Sequence, residues 1–319
     1  MVAKEDFLGR DVVSIDDFSV DEINYILELA REIKDNPAQF RDSMNGRMMS
    51  PLFFEPSTRT SSSFQAAILQ MGGRVLDFDV HASSIKKGET LRDTLRTIQG
   101  YGSDVVVIRH NKDGSARFAA DVLEVPVINA GDGQNQHPTQ TLLDLFTIKE
   151  IRGEIGNAKI AIAGDLKYGR TAHSLAIALA RYKNCEVFFI SPDSLKMPSD
   201  LLHKLREMGC CFSEHSLEEF KKVIENCDIV YVTRVQRERF PEGPEGEQEY
   251  KKVVERYHLK MDMLENVRPE FKVMHPLPKV NEIEAVIDNT KYAYYFQQAK
   301  NGLFIRKALL FLIMGGQDG

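Results

Sequence analysis

Tryptophan is absent from the 319 residues, and cysteine occurs only four times, as Cys185, Cys210, Cys211 and Cys227. None forms a CxxC pair, and the neighbours Cys210 and Cys211 are poorly placed to bridge. A disulfide scaffold and a zinc ribbon are thereby disfavoured, and the thiols read as reduced in a cytoplasmic protein. No stretch approaches the roughly 18 consecutive apolar residues of a membrane span. The opening Met1-Val-Ala-Lys-Glu-Asp-Phe7 puts acids where a signal peptide needs its apolar run. Basic charge is not in excess either: 41 Lys and Arg face 47 Asp and Glu, a net charge of −6 that argues against nucleic acid as the main partner. Internal repeats, low-complexity tracts, metal-ligand spacings and a nucleophilic Ser/His/Asp set are all missing. No strand-like run leads into GxGxxG, so a nicotinamide or flavin site has no support. The expectation is a protein without metal or cofactor.

What is present is the balance of a soluble globular chain, 43% hydrophobic and 28% charged, long enough for about two domains. Apolar runs at Val105–Arg109, Val125–Asn129, Lys159–Ala163, Cys185–Ile190, Asp228–Thr233 and Phe271–Met274 read as strands. They are near-continuous in Val and Ile rather than alternating, the mark of strands covered on both faces, hence of parallel sheets. Helical spacing falls between them: Phe64, Ala67, Ile68 and Met71 before Gly72-Gly73; Leu91, Leu95 and Ile98; Thr139 to Ile151 behind Pro138; Arg170 to Tyr182; and Leu201 to Met208. Glu238 to Tyr250, rich in charge, Gly and Pro, reads as a mobile surface loop. The fold class is α/β, two doubly wound parallel-sheet domains joined by helices. The seam lies in the helix after His137.

In such sheets function collects where strand ends feed helix N-termini, and five segments there carry unusual chemistry. Phe53-Phe-Glu-Pro-Ser-Thr-Arg-Thr60 gathers three hydroxyls (Ser57, Thr58, Thr60) and Arg59 at a helix start, an anion site best suited to phosphate. Capping alone needs one hydroxyl. Ser83-Ser-Ile-Lys-Lys-Gly-Glu-Thr90, by itself, reads as a solvated loop. Arg109-His110 closes a strand, as either a site cation or a surface ion pair. In Asn129 to Gln140, His137 lands at the cap of the helix opened by Pro138, whose positive end favours a neutral imidazole able to donate to a carbonyl oxygen. A structural histidine is the alternative. Gly164-Asp-Leu-Lys-Tyr-Gly-Arg-Thr171 is one letter from a phosphate loop, but Asp165 would oppose the phosphates and the loop's lysine is replaced by Arg170. Arg170, with Arg234 and Gln236 in Thr233-Arg-Val-Gln236, instead suits carboxylates. His275-Pro-Leu-Pro278 ends a strand in a rigid turn. Cations, hydroxyls, amides and one histidine suit transfer between two anionic small molecules.

Ser57-Thr-Arg-Thr60, His137-Pro-Thr-Gln140, Gly164 to Arg170, Thr233-Arg-Val-Gln236 and His275-Pro-Leu-Pro278 together resemble the catalytic chains of aspartate carbamoyltransferases, in order and spacing, over nearly the whole length. The resemblance implies transfer of a carbamoyl group from carbamoyl phosphate to the aspartate amine, giving N-carbamoyl-aspartate and phosphate in pyrimidine synthesis. It implies a carbamoyl phosphate-binding domain over residues 1–140, with helix 300–319 packing back on it, and an aspartate-binding domain over 141–299. It assigns Ser57, Thr58, Arg59, Thr60 and Arg109 to phosphate, and Thr60, Arg109 and His137 to the carbonyl oxygen. Gln140 and the carbonyls of Pro276 and Leu277 take the amino group, and Arg170, Arg234 and Gln236 take the aspartate carboxylates. Ser83 and Lys87 would reach a neighbouring subunit's active site in a homotrimer. Glu55 would pair with Arg170 and Arg239 on domain closure. A regulatory chain or a multienzyme partner is compatible with this family; nucleic acid and membrane are not expected as partners.

Two departures from many relatives are Ser61 and Gln65, where Arg and Glu are usual, and Asn111, where proline is usual. Ornithine carbamoyltransferases share the phosphate half, but they usually place Cys after the histidine of the HCLP segment and carry an SMG loop. Here Pro276 occupies that position and SMG is missing. A cationic acceptor would also face Arg170 and Arg234, an electrostatic mismatch. A non-catalytic member would have lost charged site residues, and a nucleotide hydrolase would need the missing loop lysine.

Overall fold

The computed structural model describes residues 2–78, 88–235, 243, 247–248, 250–251 and 257–317. It divides into two compact units, Met1–Phe146 with Lys300–Gly319, and Thr147–Ala299.

The first unit is built on β1 (Met48–Phe53), β2 (Arg74–Val75), β3 (Val105–His110) and β4 (Val127–Asp132), all parallel in the order β2-β1-β3-β4. Around the sheet lie α1 (Val20–Asp35), α2 (Thr58–Leu69), α3 (Leu91–Gly100), α4 (Ser115–Val122), the start of α5 (Pro138–Arg152) and most of the C-terminal helix (Tyr295–Ile313). Val105 to Ile108 are buried on both faces, as the continuous run required. Leu52, Val106, Ile108 and Val127 pack with Leu95 and Ile98 of α3 and Ala116 and Ala119 of α4.

β1 was not among the expected strands, because Pro51 sits inside it. The structure explains how a central strand tolerates proline. β2 pairs with β1 only through Met48 and Met49, and the Met49 carbonyl accepts from Leu76 on that side. By alternation, Pro51 turns its missing N–H to the same side, beyond the end of β2, so no ladder bond is lost.

The second unit carries β5 (Lys159–Ala163), β6 (Glu186–Ile190), β7 (Cys211–His215), β8 (Ile229–Val232) and β9 (Lys272–Met274) in the order β7-β6-β5-β8-β9, again all parallel. Its helices are α6 (Arg170–Leu179), α7 (Ser199–Glu207) and α8 (Phe220–Ile224). The helix expected to run to Tyr182 ends at Leu179, and β7, a half-exposed edge strand, escaped the sequence reading. Glu238 to Tyr250 lies almost wholly outside the described residues.

Strand order fixes where a ligand can bind. The direction in which successive strands are added reverses between β1 and β3 in one sheet and between β5 and β8 in the other, the strands themselves staying parallel. At such a switch point the flanking loops part, leaving a crevice at the strands' carboxyl ends.

Candidate active site

Both crevices are occupied by the segments singled out from sequence. At the first, β1 runs into the N-terminus of α2. Ser57 takes the cap position, yet its side chain makes no capping hydrogen bond, and the first turn holds no acid. The hydroxyl and the end N–H groups are therefore left toward an anion. Thr58 and Arg59 are exposed, and Thr60 is buried at 9% exposure. No carboxylate among the described residues pairs with Arg59.

Arg109 ends β3 on the other side of the crevice. Its Nε lies 3.2 Å from Glu55 Oε2, off the line of a proper hydrogen bond, and its Nη1 donates to the Ala130 carbonyl at 3.2 Å. Burial lowers the guanidinium's pKa, Glu55 opposes that, and the nearby Arg59 charge lowers it further. Two arginines close enough to repel, one of them half-buried, form a site that a dianion would relieve. Glu55 is thus engaged by Arg109 of its own unit. Arg239, one of its expected partners, lies outside the described residues.

His137 is held at the cap of α5 by a pinned loop. Asp132, 1% exposed, accepts from Asn129 Nδ2 (2.9 Å), Gln136 N–H (3.0 Å), Asn135 Nδ2 (3.1 Å) and Gly114 N–H (3.0 Å). The His137 carbonyl then accepts the Gln140 and Thr141 N–H groups at 2.9 and 3.2 Å, opening the helix. The imidazole is 4% exposed, with Nδ1 3.4 Å from Thr139 Oγ1. Gln140 faces the same end of α5, and its Nε2 donates to Asp144 Oδ1 at 2.9 Å. Ser61 and Gln65 on α2 meet each other: Gln65 Nε2 donates to Ser61 Oγ at 3.2 Å, a neutral pair.

At the second crevice the phosphate-loop lookalike follows β5. Asp165 is buried inside it, its N–H donating to Thr233 Oγ1 and its Oδ1 accepting the Tyr168 N–H, both at 3.0 Å. A carboxylate in that place organises the loop from within, where a nucleotide phosphate would need backbone N–H groups. Gly164 has φ 120°, and a Cβ there would come within 2.6 Å of the Thr233 carbonyl and 2.7 Å of the Tyr257 hydroxyl. Arg170 opens α6 and Arg234 follows β8, so both cations stand at the switch point of the second sheet. Gln236, Ser83 and Lys87 lie outside the described residues.

The 275–278 turn contains a cis Leu277–Pro278 bond, with Leu277 at φ 54°. It is held by a residue the sequence reading passed over. His275 Nδ1 accepts the Leu277 N–H at 2.7 Å, so its proton is on Nε2, which donates to Glu282 Oε1 at 2.8 Å. Glu282 Oε2 accepts the Val280 and Asn281 N–H groups at 3.1 and 2.9 Å. Burial alone would raise the Glu282 carboxyl pKa, but these donors outweigh it and the pKa lies below normal. Among the described residues no group of three or more His, Cys, Asp or Glu could hold a metal, and no helix is long and apolar enough to cross a membrane.

Two parallel α/β units, each with arginines and helix N-termini at its switch point, define a class of protein built to bind small anions. Residues 10–150 match the carbamoyl-P binding domain of aspartate/ornithine carbamoyltransferases, and residues 156–313 their Asp/Orn binding domain. The chain belongs to the aspartate/ornithine carbamoyltransferase family. Within it, the chain is similar to aspartate carbamoyltransferase catalytic subunits. That of Thermococcus onnurineus is 48% identical, covering 98% of this chain and 99% of the relative. That of Chromobacterium violaceum is 46% identical, covering 96% and 98%. Among solved structures, Trypanosoma cruzi aspartate transcarbamoylase in complex with carbamoyl phosphate and aspartate superposes with a TM-score of 0.90 at 37% identity, covering 98% and 99%. The catalytic subunit of M. Jannaschii aspartate transcarbamoylase gives 0.87 at 43%, covering 94% and 96%.

Proposed function

We propose that the chain catalyses carbamoyl transfer from carbamoyl phosphate to the amine of L-aspartate, giving N-carbamoyl-L-aspartate and phosphate, in cytoplasmic pyrimidine biosynthesis. The observation that carries the reading is the pair of arginines at each switch point, Arg59 and Arg109 in one unit and Arg170 and Arg234 in the other.

Ser57, Thr58, Arg59, Thr60 and Arg109 hold the phosphate. Thr60, Arg109 and His137 surround the carbonyl oxygen, while Gln140 and the Pro276 and Leu277 carbonyls accept from the amino group. Arg170, Arg234 and Gln236 take the two carboxylates of aspartate. The amine lone pair adds to the carbonyl carbon, the oxygen gains charge against preplaced donors, the C–O bond to phosphate breaks with the electron pair leaving on phosphate, and the departing phosphate takes the proton that the amine nitrogen sheds. Repulsion between two anionic substrates is offset by the arginines, which also fix the amine near the carbon. In a homotrimer, Ser83 and Lys87 would complete a neighbouring site.

The test supplies carbamoyl phosphate with aspartate or ornithine as acceptor. Product from aspartate alone is expected. Product from ornithine would contradict the role given to Arg170 and Arg234, and no product from a trimeric preparation would favour a non-catalytic member.

A further inference from the structure

Asp144 lies one helical turn beyond Gln140 on α5, is fully buried, and accepts from Gln140 Nε2 at 2.9 Å. An ionised carboxylate offers no proton, so this bond can be made only by the amide's NH2 group. It therefore decides which way round the Gln140 amide sits, and its carbonyl oxygen is the end turned away from Asp144. With the amide reversed, two acceptors would oppose each other in a buried place.

A carboxylate so buried needs an opposing charge. Arg306 of the C-terminal helix carries a positive charge that acts on Asp144 through space. The guanidinium is 4% exposed, burial pulls its pKa down to about 10, and the Asp144 charge works against that fall, so it stays protonated at neutral pH. Room for it exists because residue 302, one turn earlier, is glycine: a Cβ there would collide with Arg306 Nη1 and stand 3.1 Å from Leu143. The guanidinium also lies 5.1 Å from the centre of the Phe64 ring on α2. One buried cation thus stacks on the helix carrying the phosphate hydroxyls and acts electrostatically on the helix carrying Gln140, all inside the first unit.

We propose that Asp144, charge-balanced by Arg306, is a positioning residue for donor specificity: it holds the Gln140 carbonyl oxygen toward the substrate, so that the site accepts an acyl phosphate bearing an amino group and discriminates against one bearing a methyl. The inference rests on the carbamoyl-transfer reading and on the place given there to Gln140.

The experiment compares carbamoyl phosphate (as KM) with acetyl phosphate and inorganic phosphate (as inhibition constants) in the wild type and in Asp144→Leu, Asp144→Leu/Arg306→Met, Gln140→Leu and Asp144→Leu/Gln140→Leu. The Leu/Met variant removes both charges together, a replacement that buried ion pairs commonly tolerate, and it guards against a single change that fails to fold. Expected is a drop of about tenfold in preference for carbamoyl over acetyl phosphate, the size of one lost buried hydrogen bond, with inorganic phosphate inhibition within about twofold of wild type. In the Gln140→Leu background the Asp144 change should cost no further preference. Equal losses for all three ligands would mark Asp144 as structural only, and a second full loss in the Gln140→Leu background would show that it does not act through Gln140. Either result overturns the proposal. A wild type with no preference for carbamoyl over acetyl phosphate, or no turnover, would instead overturn the reading beneath it.

Discussion

His137 and Glu55 show how much a single side chain can be asked to do at this site. His137 is nearly buried and fixed by backbone bonds that do not involve its ring. His137→Ala should therefore stay folded and bind carbamoyl phosphate, while kcat falls on the order of 100-fold to 1000-fold, the usual cost of one preorganised oxyanion donor. Steady-state kinetics beside a phosphate titration would check this, and near-normal kcat would remove His137 from the mechanism. Glu55 is a counter-charge on Arg109 at 3.2 Å, and any phosphate arriving there competes with it. Glu55→Gln is expected to tighten inorganic phosphate inhibition a few-fold, the modest scale of a partly exposed ion pair. Weaker phosphate inhibition in that variant would mean that Glu55 instead holds Arg109 in its binding pose. From sequence Arg109 was legible as a candidate, whereas its pairing with Glu55 was not, because four residues of loop hide which way an acid turns.

Among the elements, the 275–282 turn and the Gly164 loop depend on contacts no periodicity reveals. Glu282→Gln would place an amide NH2 or a lone acceptor against donors from Val280, Asn281 and His275, and cannot satisfy all three. A loss of about 1–3 kcal/mol in denaturant unfolding is expected. The native Glu282 pKa is depressed below its normal value, so its contribution is present above about pH 4.5 and disappears as pH falls through the native value. Acid titration of wild type against Glu282→Gln should converge only below that point; a constant difference down the whole range would assign the effect elsewhere. Gly164→Ala meets backbone as well as side chain, at a φ that L-residues rarely adopt, and should cost at least about 2 kcal/mol. The buried strands β3, β5 and β8 were plain in the sequence because their apolar runs are unbroken. α1 was passed over although Ser19 and Glu22 form a capping box, Glu22 N–H to Ser19 Oγ at 3.2 Å and Ser19 N–H to Glu22 Oε2 at 2.7 Å. β1 hid behind Pro51, whose fitness depends on a neighbour only two residues long. Asp144, Glu282 and Arg306 lay outside every motif: Asp144 meets Gln140, Glu282 meets His275, and Arg306 acts on Asp144.

For the whole molecule, the net charge of −6 and the arginines gathered at the strand ends pull in opposite directions. Raising salt from about 0.05 to about 0.5 M should weaken phosphate inhibition several-fold, because Arg59 is exposed and screened. Salt independence would mean that hydroxyls and backbone N–H groups, rather than charge, hold the anion. The chain's path has a further consequence. The first unit is assembled from both ends of the polypeptide: the Gly9 N–H donates to the Ile313 carbonyl at 2.9 Å, and Lys34 Nζ to Asn301 Oδ1 at 3.2 Å. The second unit is one uninterrupted stretch, Thr147–Ala299. During synthesis, then, the N-terminal half leaves the ribosome first yet must wait. Its buried Asp144 lacks the Arg306 charge until that residue emerges, some 160 residues later, while the later-made unit already holds all of its own strands. Order of translation and order of completion are reversed, and a nascent chain stalled short of its last helix would carry an unfinished core at its older end.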